Sequence, residues 1–238
     1  MQHIEVIGIG AGNPKHLTLQ AIEALQNSDA VLALDKGDTK SDLLMLRQQI
    51  IDAHAPGTPL ITVADPERDR NPVDYKAEVE RWHQARAQLL IDAMPASGTV
   101  AFLVWGDPSL YDSTLRIIER MRGLGLEATL RVTPGITAVQ SLCAEHGLLI
   151  NRIGEDIRIT TGRTLLEGPI TNAVVMLDGG AAWLDVPEAH IWWGAYLGTE
   201  KQVLRSGLVS EIGEQLAAEK AALRAQNGWI MDIYLLRQ

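Results

Sequence analysis

The chain has a single cysteine, Cys143, in 238 residues. One thiol closes no intramolecular disulfide and builds no multi-cysteine metal site, so no metal is expected and the expected compartment is the reducing cytoplasm. Phenylalanine is scarce as well, with one Phe beside six Trp, and most of those tryptophans are expected in the core or an interface rather than against a ligand. No apolar run reaches the roughly 18 residues of a membrane span, so no membrane association is expected. The opening Met1-Gln2-His3-Ile4-Glu5-Val6 lacks a basic head before an apolar stretch, which predicts no signal peptide. Basic residues are in deficit, 21 against 30 acidic, for a net charge of −9. That balance disfavours a general nucleic-acid binder, and an anionic substrate would need a local basic patch against the overall field. Low-complexity linkers, internal repeats and any Ser-His-Asp or Cys-His arrangement are also missing.

What the chain does have is three glycine-rich corners: Gly8-Ile9-Gly10-Ala11-Gly12-Asn13-Pro14, Trp105-Gly106-Asp107-Pro108-Ser109-Leu110-Tyr111 and Thr133-Pro134-Gly135-Ile136-Thr137-Ala138. Each follows an apolar run that reads as a strand and precedes a helical pattern. Glycine there lets backbone approach a ligand without side-chain obstruction, and three converging corners point to a nucleotide-like cofactor. At the second corner Gly106 frees the backbone, Asp107 offers a carboxylate to a hydroxyl or amine, and Pro108 stiffens the turn. At the third, Thr137 brings a hydroxyl that could equally cap the following helix, and Ala138 is small enough to admit a flat ring. The first corner also resembles a dinucleotide fingerprint, with Asp35 where a ribose-binding acid would stand, although Asn13 occupies a position that calls for glycine or alanine. A nicotinamide oxidoreductase therefore stays open on this corner alone; that fold has no use for Gly106-Asp107-Pro108.

Strand and helix patterns alternate from residue 3 to about 132, which predicts a parallel sheet. The runs Ala30 to Leu34 and Thr99 to Val104 are uninterrupted by polar residues, as in central parallel strands. Beyond the helix expected over 136–146, short strands dominate, with one long helix over about 209–226. Short connections between them favour antiparallel pairing and a mixed sheet. The expected division is an N-terminal α/β domain over 1–134 and a C-terminal mixed-sheet domain over 135–238.

The three corners, in this order and spacing, resemble those of the S-adenosylmethionine-dependent tetrapyrrole methylases. The resemblance implies a two-domain fold with the cofactor in the cleft between the domains, and a homodimer. Longer strings carry it further: Leu34-Asp35-Lys36-Gly37, the run 104–114, Asn151-Arg152-Ile153-Gly154-Glu155, the run 193–199 and Gly228-Trp229-Ile230-Met231-Asp232. These are similar to the branch of the family that works in aerobic cobalamin biosynthesis, and the likeness runs almost end to end. It implies methylation of C1 of precorrin-5 with loss of the extruded acetyl group as acetate, giving precorrin-6A and S-adenosylhomocysteine. Carried over by position, the cofactor contacts would be Gly10, Ala11, Gly106, Asp107, Thr137, Ala138 and Met176, with Leu177, Tyr196 and Leu197 from the same cleft. Many family members have proline where this chain has Ala11. Diphthamide and ribosomal RNA methylases share the glycine corners, but the acidic balance and the longer strings favour the corrin branch.

Methyl transfer from a sulfonium to a reduced ring needs orientation rather than a covalent nucleophile. Loss of the acetyl group needs water, for which a base or an oxyanion donor would help. Asp35 and Tyr111, both expected beyond strand ends, are the candidates. The substrate's carboxylate rim calls for guanidinium groups, and Arg163, Arg68 and Arg70 are the leading candidates, with Arg152 and Arg158 behind them.

Overall fold

The computed structural model describes residues 2–35, 37, 41–69 and 71–238. The chain divides into two compact units: Met1–Gly10 with Pro14–Ile136, and Ala11–Asn13 with Thr137–Gln238. The division falls two residues beyond the expected boundary, and three residues of the first corner group with the second unit.

In the first unit, strands β1 (Gln2–Gly8), β2 (Ala30–Asp35), β3 (Leu60–Ala64), β4 (Gly98–Val104) and β5 (Ala128–Thr133) alternate with α1 (Leu19–Gln26), α2 (Ser41–His54), α3 (Tyr75–Ala93) and α4 (Thr114–Gly123). The strands form one sheet in the order β3-β2-β4-β1-β5, and every pair is parallel. Successive side chains of a strand face opposite sides. Ile4, Val6, Val100 and Phe102 therefore pack with Leu90, Ile117 and Met121 on one face, while Ile7, Ala101 and Leu103 pack with Ala21, Leu25 and Ile50 on the other. Each of the larger side chains among these, Val, Leu, Ile, Phe or Met, contributes about 1.5–3 kcal/mol when buried relative to exposure. Helix α3 is shorter than the apolar pattern over 73–94 suggests, because Asp74 caps it, accepting from the N–H groups of Lys76 and Ala77 at 2.9 and 3.0 Å. At its other end Met94 precedes Pro95, which disfavours helical backbone.

The second unit contains α5 (Ala138–His146), β6 (Arg158–Thr161), β7 (Asn172–Met176), β8 (His190–Ala195), β9 (Val203–Leu208), α6 (Val209–Asn227) and β10 (Asp232–Arg237). Its sheet runs β6-β7-β10-β8-β9. The pair β6–β7 is parallel and the other pairs are antiparallel. The expectation of antiparallel neighbours fails at β6–β7, where the connection carries a 3-10 segment, Gly162–Glu167, that returns the chain to the same edge. It fails again between β7 and β8, because the last strand inserts between them. Ile233, Tyr234, Leu235 and Leu236 of that strand are all buried, as a doubly covered central strand requires. Trp183 and Trp193 are fully buried in the same core, so Trp193 is not available for a subunit contact.

A polar network lies inside this core. Lys220 Nζ pairs with Asp232 at 2.8 Å and donates to the Asp178 carbonyl at 2.7 Å. Trp193 Nε1 donates to Asp232 at 2.9 Å, and the Tyr234 hydroxyl donates to the Asp178 carboxylate at 2.8 Å. Burial raises the Asp232 carboxyl above the ordinary range, with Lys220 opposing. Burial first, and then the Asp178 carboxylate, push the Tyr234 hydroxyl far up, so it remains a donor.

Candidate active site

The strand order of the first unit marks its ligand-binding edge. From β1 the chain crosses over β4 to β2, and from β4 it crosses over β1 to β5, so adjacent strands send their connections in opposite directions. Ligands of open α/β sheets bind in the crevice beyond the carboxyl ends of such a pair. Both glycine corners of this unit begin there. Backbone joins them: the Gly106 N–H donates to the Gly10 carbonyl at 2.8 Å, and the Gly10 N–H to the Gly106 carbonyl at 3.3 Å. A Cβ on Gly8 would lie 2.5 Å from the Gly135 nitrogen, and one on Gly135 would collide with the Gly106 carbonyl oxygen. Asp107 completes the tie. Its Oδ2 accepts from the Gly135 N–H at 2.8 Å, and its Oδ1 from the Ser109 N–H at 2.8 Å and from the Ser109 hydroxyl. Burial pushes this carboxyl up, but those hydrogen bonds outweigh it and hold the pKa below the ordinary aspartate value.

This geometry departs from a pyrophosphate cradle. The N–H groups of Gly10 and Gly106 are spent on each other. Helix α1 starts only at Leu19, after a 3-10 segment at Pro14–His16, and Thr18 Oγ1 already accepts from the Ala21 N–H at 3.0 Å. A dinucleotide phosphate needs a free helix N-terminus directly after the corner, and the first corner does not supply one. Two polar atoms buried near the carboxyl edge, Trp105 Nε1 and Thr133 Oγ1, have no hydrogen-bond partner among the described residues.

Asp35 ends β2, exposed, and its Oδ1 accepts from the Gly37 N–H at 2.9 Å. Tyr111 follows the second corner with φ 51° and is 43 % exposed. Its hydroxyl has no hydrogen bond among the described residues. Since β2 neighbours β4, both lie on one edge of the sheet. Arg68 is exposed after β3, with its guanidinium 5.2 Å from the Trp82 ring and 6.0 Å from that of Tyr75. Arg70 lies outside the described residues.

In the second unit Ala11 is buried and Ala138, the first residue of α5, is half-buried. The Thr137 hydroxyl is committed to a capping box: Oγ1 accepts from the Val139 N–H at 3.1 Å and donates to Gln140 Oε1, which also accepts from the Thr137 N–H at 3.0 Å. Met176 ends β7 half-buried, and Leu177 follows at φ 54°, 64 % exposed. Tyr196, at φ 50°, buries its ring. Its hydroxyl donates to the Trp229 carbonyl at 2.5 Å, its N–H donates to the Met231 carbonyl at 2.9 Å, and its carbonyl accepts from the Thr199 N–H and hydroxyl at 3.1 and 2.7 Å. Leu197 is buried beside Gly194. Gly198 packs on Ala11–Asn13, since a Cβ there would lie 2.6 Å from the Asn13 nitrogen. Arg163 is exposed on the 3-10 segment with no ion-pair partner among the described residues. The Arg158 guanidinium donates to the carbonyls of Leu165, Pro169 and Thr164. Arg152 pairs with Glu155 at 3.7 Å and donates to the Gln238 carbonyl at 3.1 Å.

Tyr111, Leu177 and Tyr196 are the non-glycine residues with positive φ among the described residues. Backbone strain of this kind concentrates at ligand sites. One residue with a clear signal escapes the motif reading. Arg47 sits in α2 on the stripe Leu43, Leu46, Arg47, Ile50, Ile51, an arginine on the inward face of an amphipathic helix.

Comparison with known proteins agrees with this geometry. Residues 3–213 match the family model of the tetrapyrrole (corrin/porphyrin) methylases. A Sinorhizobium sp protein named precorrin-6A synthase (deacetylating) is 45% identical over 250 residues, covering 100% of this chain and 96% of the relative. The crystal structure of a cobalamin synthesis related protein (CobF) from Corynebacterium diphtheriae is 58% identical, with a TM-score of 0.88 over 100% of this chain and 98% of that one. A uroporphyrin-III C-methyltransferase from Thermus thermophilus, complexed with S-adenyl homocysteine, is 19% identical with a TM-score of 0.64, covering 99% of this chain and 92% of that one, a likeness of fold alone.

Proposed function

The chain belongs to the tetrapyrrole methylases, and from that premise we propose that it methylates C1 of precorrin-5 and releases the extruded acetyl group as acetate, giving precorrin-6A. The observation that carries this reading is the 45% identity, over the whole chain, to a relative named for that deacetylating synthesis. S-adenosylmethionine, when bound, supplies an electrophilic methyl group on a sulfonium. The residues that would hold it are Gly10, Gly106 and Asp107 in the first unit and Ala11, Thr137, Ala138, Met176, Leu177, Tyr196 and Leu197 in the second. The donor set suits a nucleoside without phosphates: small residues, an exposed leucine in a strained turn, and no free cradle of N–H groups at the first corner. Orientation is then the main contribution of the protein, and in well-aligned cases it lowers a barrier by about 7–11 kcal/mol.

Tyr111 and Asp35 are assigned here to deacetylation. The unbonded Tyr111 hydroxyl is free to donate to an oxygen that gains charge as water attacks the acetyl carbonyl, and Asp35 is an exposed carboxylate able to take a proton from that water. Arg163, Arg68 and Arg70 are assigned to the substrate's carboxylates. The protein is further inferred to act in the cytoplasm as a homodimer; a monomer by sedimentation at micromolar concentration would refute the dimer.

The deciding experiment incubates the protein with precorrin-5 and methyl-labelled S-adenosylmethionine and follows ring and acetate by mass. One methyl gained and one acetyl lost per ring is the expected result; an unchanged ring rejects the reading. In Tyr111→Phe or Asp35→Asn, acetate release should slow by about 10²- to 10³-fold while methylation continues, so that a methylated ring retaining its acetyl group accumulates. Release that stays in step with methylation removes both residues from that step.

A further inference from the structure

A cavity of about 80 Å³ opens beneath the carboxyl ends of β2 and β4, inside the first unit. It has room for a small carboxylate or a few waters. Leu32, Phe102 and Ile117 are among its apolar walls, and its polar lining comprises Arg47, Arg86, Asp112, Ser113 and Thr114.

The two guanidinium groups are in different states. Arg86 is neutralised, with Nε donating to Asp65 Oδ1 at 2.6 Å and Nη2 bound to the other carboxylate oxygen. Arg47 has no carboxylate at ion-pair distance among the described residues. Its Nε donates to the Leu103 carbonyl at 2.9 Å and its Nη1 to the Leu43 carbonyl at 2.8 Å. Those two bonds use two of its five N–H donors. Burial lowers the Arg47 pKa, with the Asp112 carboxylate opposing, and the group stays cationic at any working pH. Asp112 does not close on it; its Oδ1 accepts from the Thr114 N–H at 2.6 Å. Arg47 is half-buried, and its charge, without a contacting anion, faces a cavity of the right size for one.

We propose that this cavity is a carboxylate subsite, in which Arg47 and the hydroxyls of Ser113 and Thr114 hold either a carboxylate arm of the tetrapyrrole or the acetate that deacetylation releases. The naming of those two carboxylates rests on the reaction proposed above; the anion preference rests on Arg47 alone. Leu34 and residues 112–114, all half-buried, line the cavity and adjoin Asp35 and Tyr111 in the chain.

The test titrates the full chain and its Arg47→Gln and Arg47→Lys variants with 13C-labelled acetate by NMR, and measures KM for precorrin-5 in the same preparations. A saturable acetate site that weakens by about tenfold or more in Arg47→Gln, with partial recovery in Arg47→Lys, assigns the cavity to free acetate. No acetate site in the unmutated protein, with KM raised by about tenfold or more at little-changed kcat in Arg47→Gln, assigns it to a substrate arm. Acetate affinity and KM that both stay within about twofold in Arg47→Gln overturn the proposal. If Arg47→Gln does not fold, Arg47→Lys decides by the same readouts, since it keeps the charge and loses the planar fork. If the unmutated protein leaves precorrin-5 unchanged, the proposed reaction fails separately; acetate binding that depends on Arg47 then still upholds the subsite, and its absence overturns it.

Discussion

In the first unit the sharp turns beyond β1 and β4 fall on Gly10 and Gly106, at φ 82° and 70°, whereas in the second unit the turns beyond β7 and β8 fall on Leu177 and Tyr196, at φ 54° and 50°. Left-handed backbone is open to glycine and costs a larger residue roughly 1–2 kcal/mol. The difference follows from what surrounds each turn. Gly8, Gly106 and Gly135 meet backbone to backbone, and any side chain would have to displace main-chain atoms. The second unit holds its turns by anchors instead. Tyr196 is pinned through its hydroxyl to the Trp229 carbonyl. Leu177 is followed by Asp178, whose carboxylate accepts from the N–H groups of Gly180 and Ala182 at 2.9 Å each, and from Tyr234. Tyr111 fits neither pattern. It is a strained residue in the first unit, exposed and without a hydroxyl partner, which is the form expected where strain serves a ligand rather than the fold.

The largest effect should come from breaking the anchors of the second unit. Lys220→Met leaves Asp232 buried without its cation, and the expected loss is about 3–5 kcal/mol in urea denaturation. A loss below about 1 kcal/mol would mean that the network does not hold the turn after β7. Next in size is Gly135→Ala in the first unit, where overpacking against backbone should cost about 1–3 kcal/mol. Gly179→Ala is its control: like Gly135 it lies outside the positive-φ region, but the added Cβ meets nothing within 4 Å, so the close-packing cost is absent. Equal losses in the two variants would refute the close-packing account.

How far such contrasts could be read from sequence depends on the range of the cause. The parallel sheet was legible because Ala30 to Leu34 and Val100 to Val104 carry no polar residue, whereas the Asp74 cap of α3 was masked by an apolar pattern that begins at Val73. The capping box at Thr137 was legible as Thr137-Ala138-Val139-Gln140, which made a cap a fair competitor to a ligand contact. The 3-10 turn at Pro14–His16 was not legible, since Gly12-Asn13-Pro14 reads equally as the end of a corner or as the start of such a turn. Nor was the central place of β10, which depends on pairing between strands distant in sequence. The bond from the Tyr196 hydroxyl to the Trp229 carbonyl was not legible either, since the partners lie 33 residues apart. Arg47 was readable in principle, as a charge on an apolar stripe, but its lack of a partner depends on where Asp112 lies in space.

A smaller effect, of opposite sign, tests whether the strain at Leu177 is kept for a ligand. The side chain is 64 % exposed, so Leu177→Gly removes little buried surface and relieves the left-handed cost. The variant should be more stable by up to about 1 kcal/mol and bind S-adenosylhomocysteine more weakly. Increased stability with unchanged affinity would leave the strain without a functional role.

The smallest effect separates the units by the sign of their pH dependence. Asp107, in the first unit, has a folded pKa below its unfolded value, because hydrogen bonds from Ser109 and Gly135 outweigh burial. Its stabilisation is therefore complete above the unfolded pKa of about 3.9 and is lost as pH falls through the lower, folded value. Asp232, in the second unit, is shifted the other way by burial, so on its own it favours the folded state more as pH falls. Urea midpoints measured from pH 7 down to pH 3 should fall more steeply at the acid end for the unmutated protein than for Asp107→Asn. The amide can still accept from the Gly135 N–H but no longer ionises, so the two curves should approach each other as Asp107 becomes protonated. Parallel curves would mean that the carboxylate charge does not stabilise the joint between the second and third corners. The close contact of Gly135 with Gly8 and Gly106 would then have to hold that joint alone.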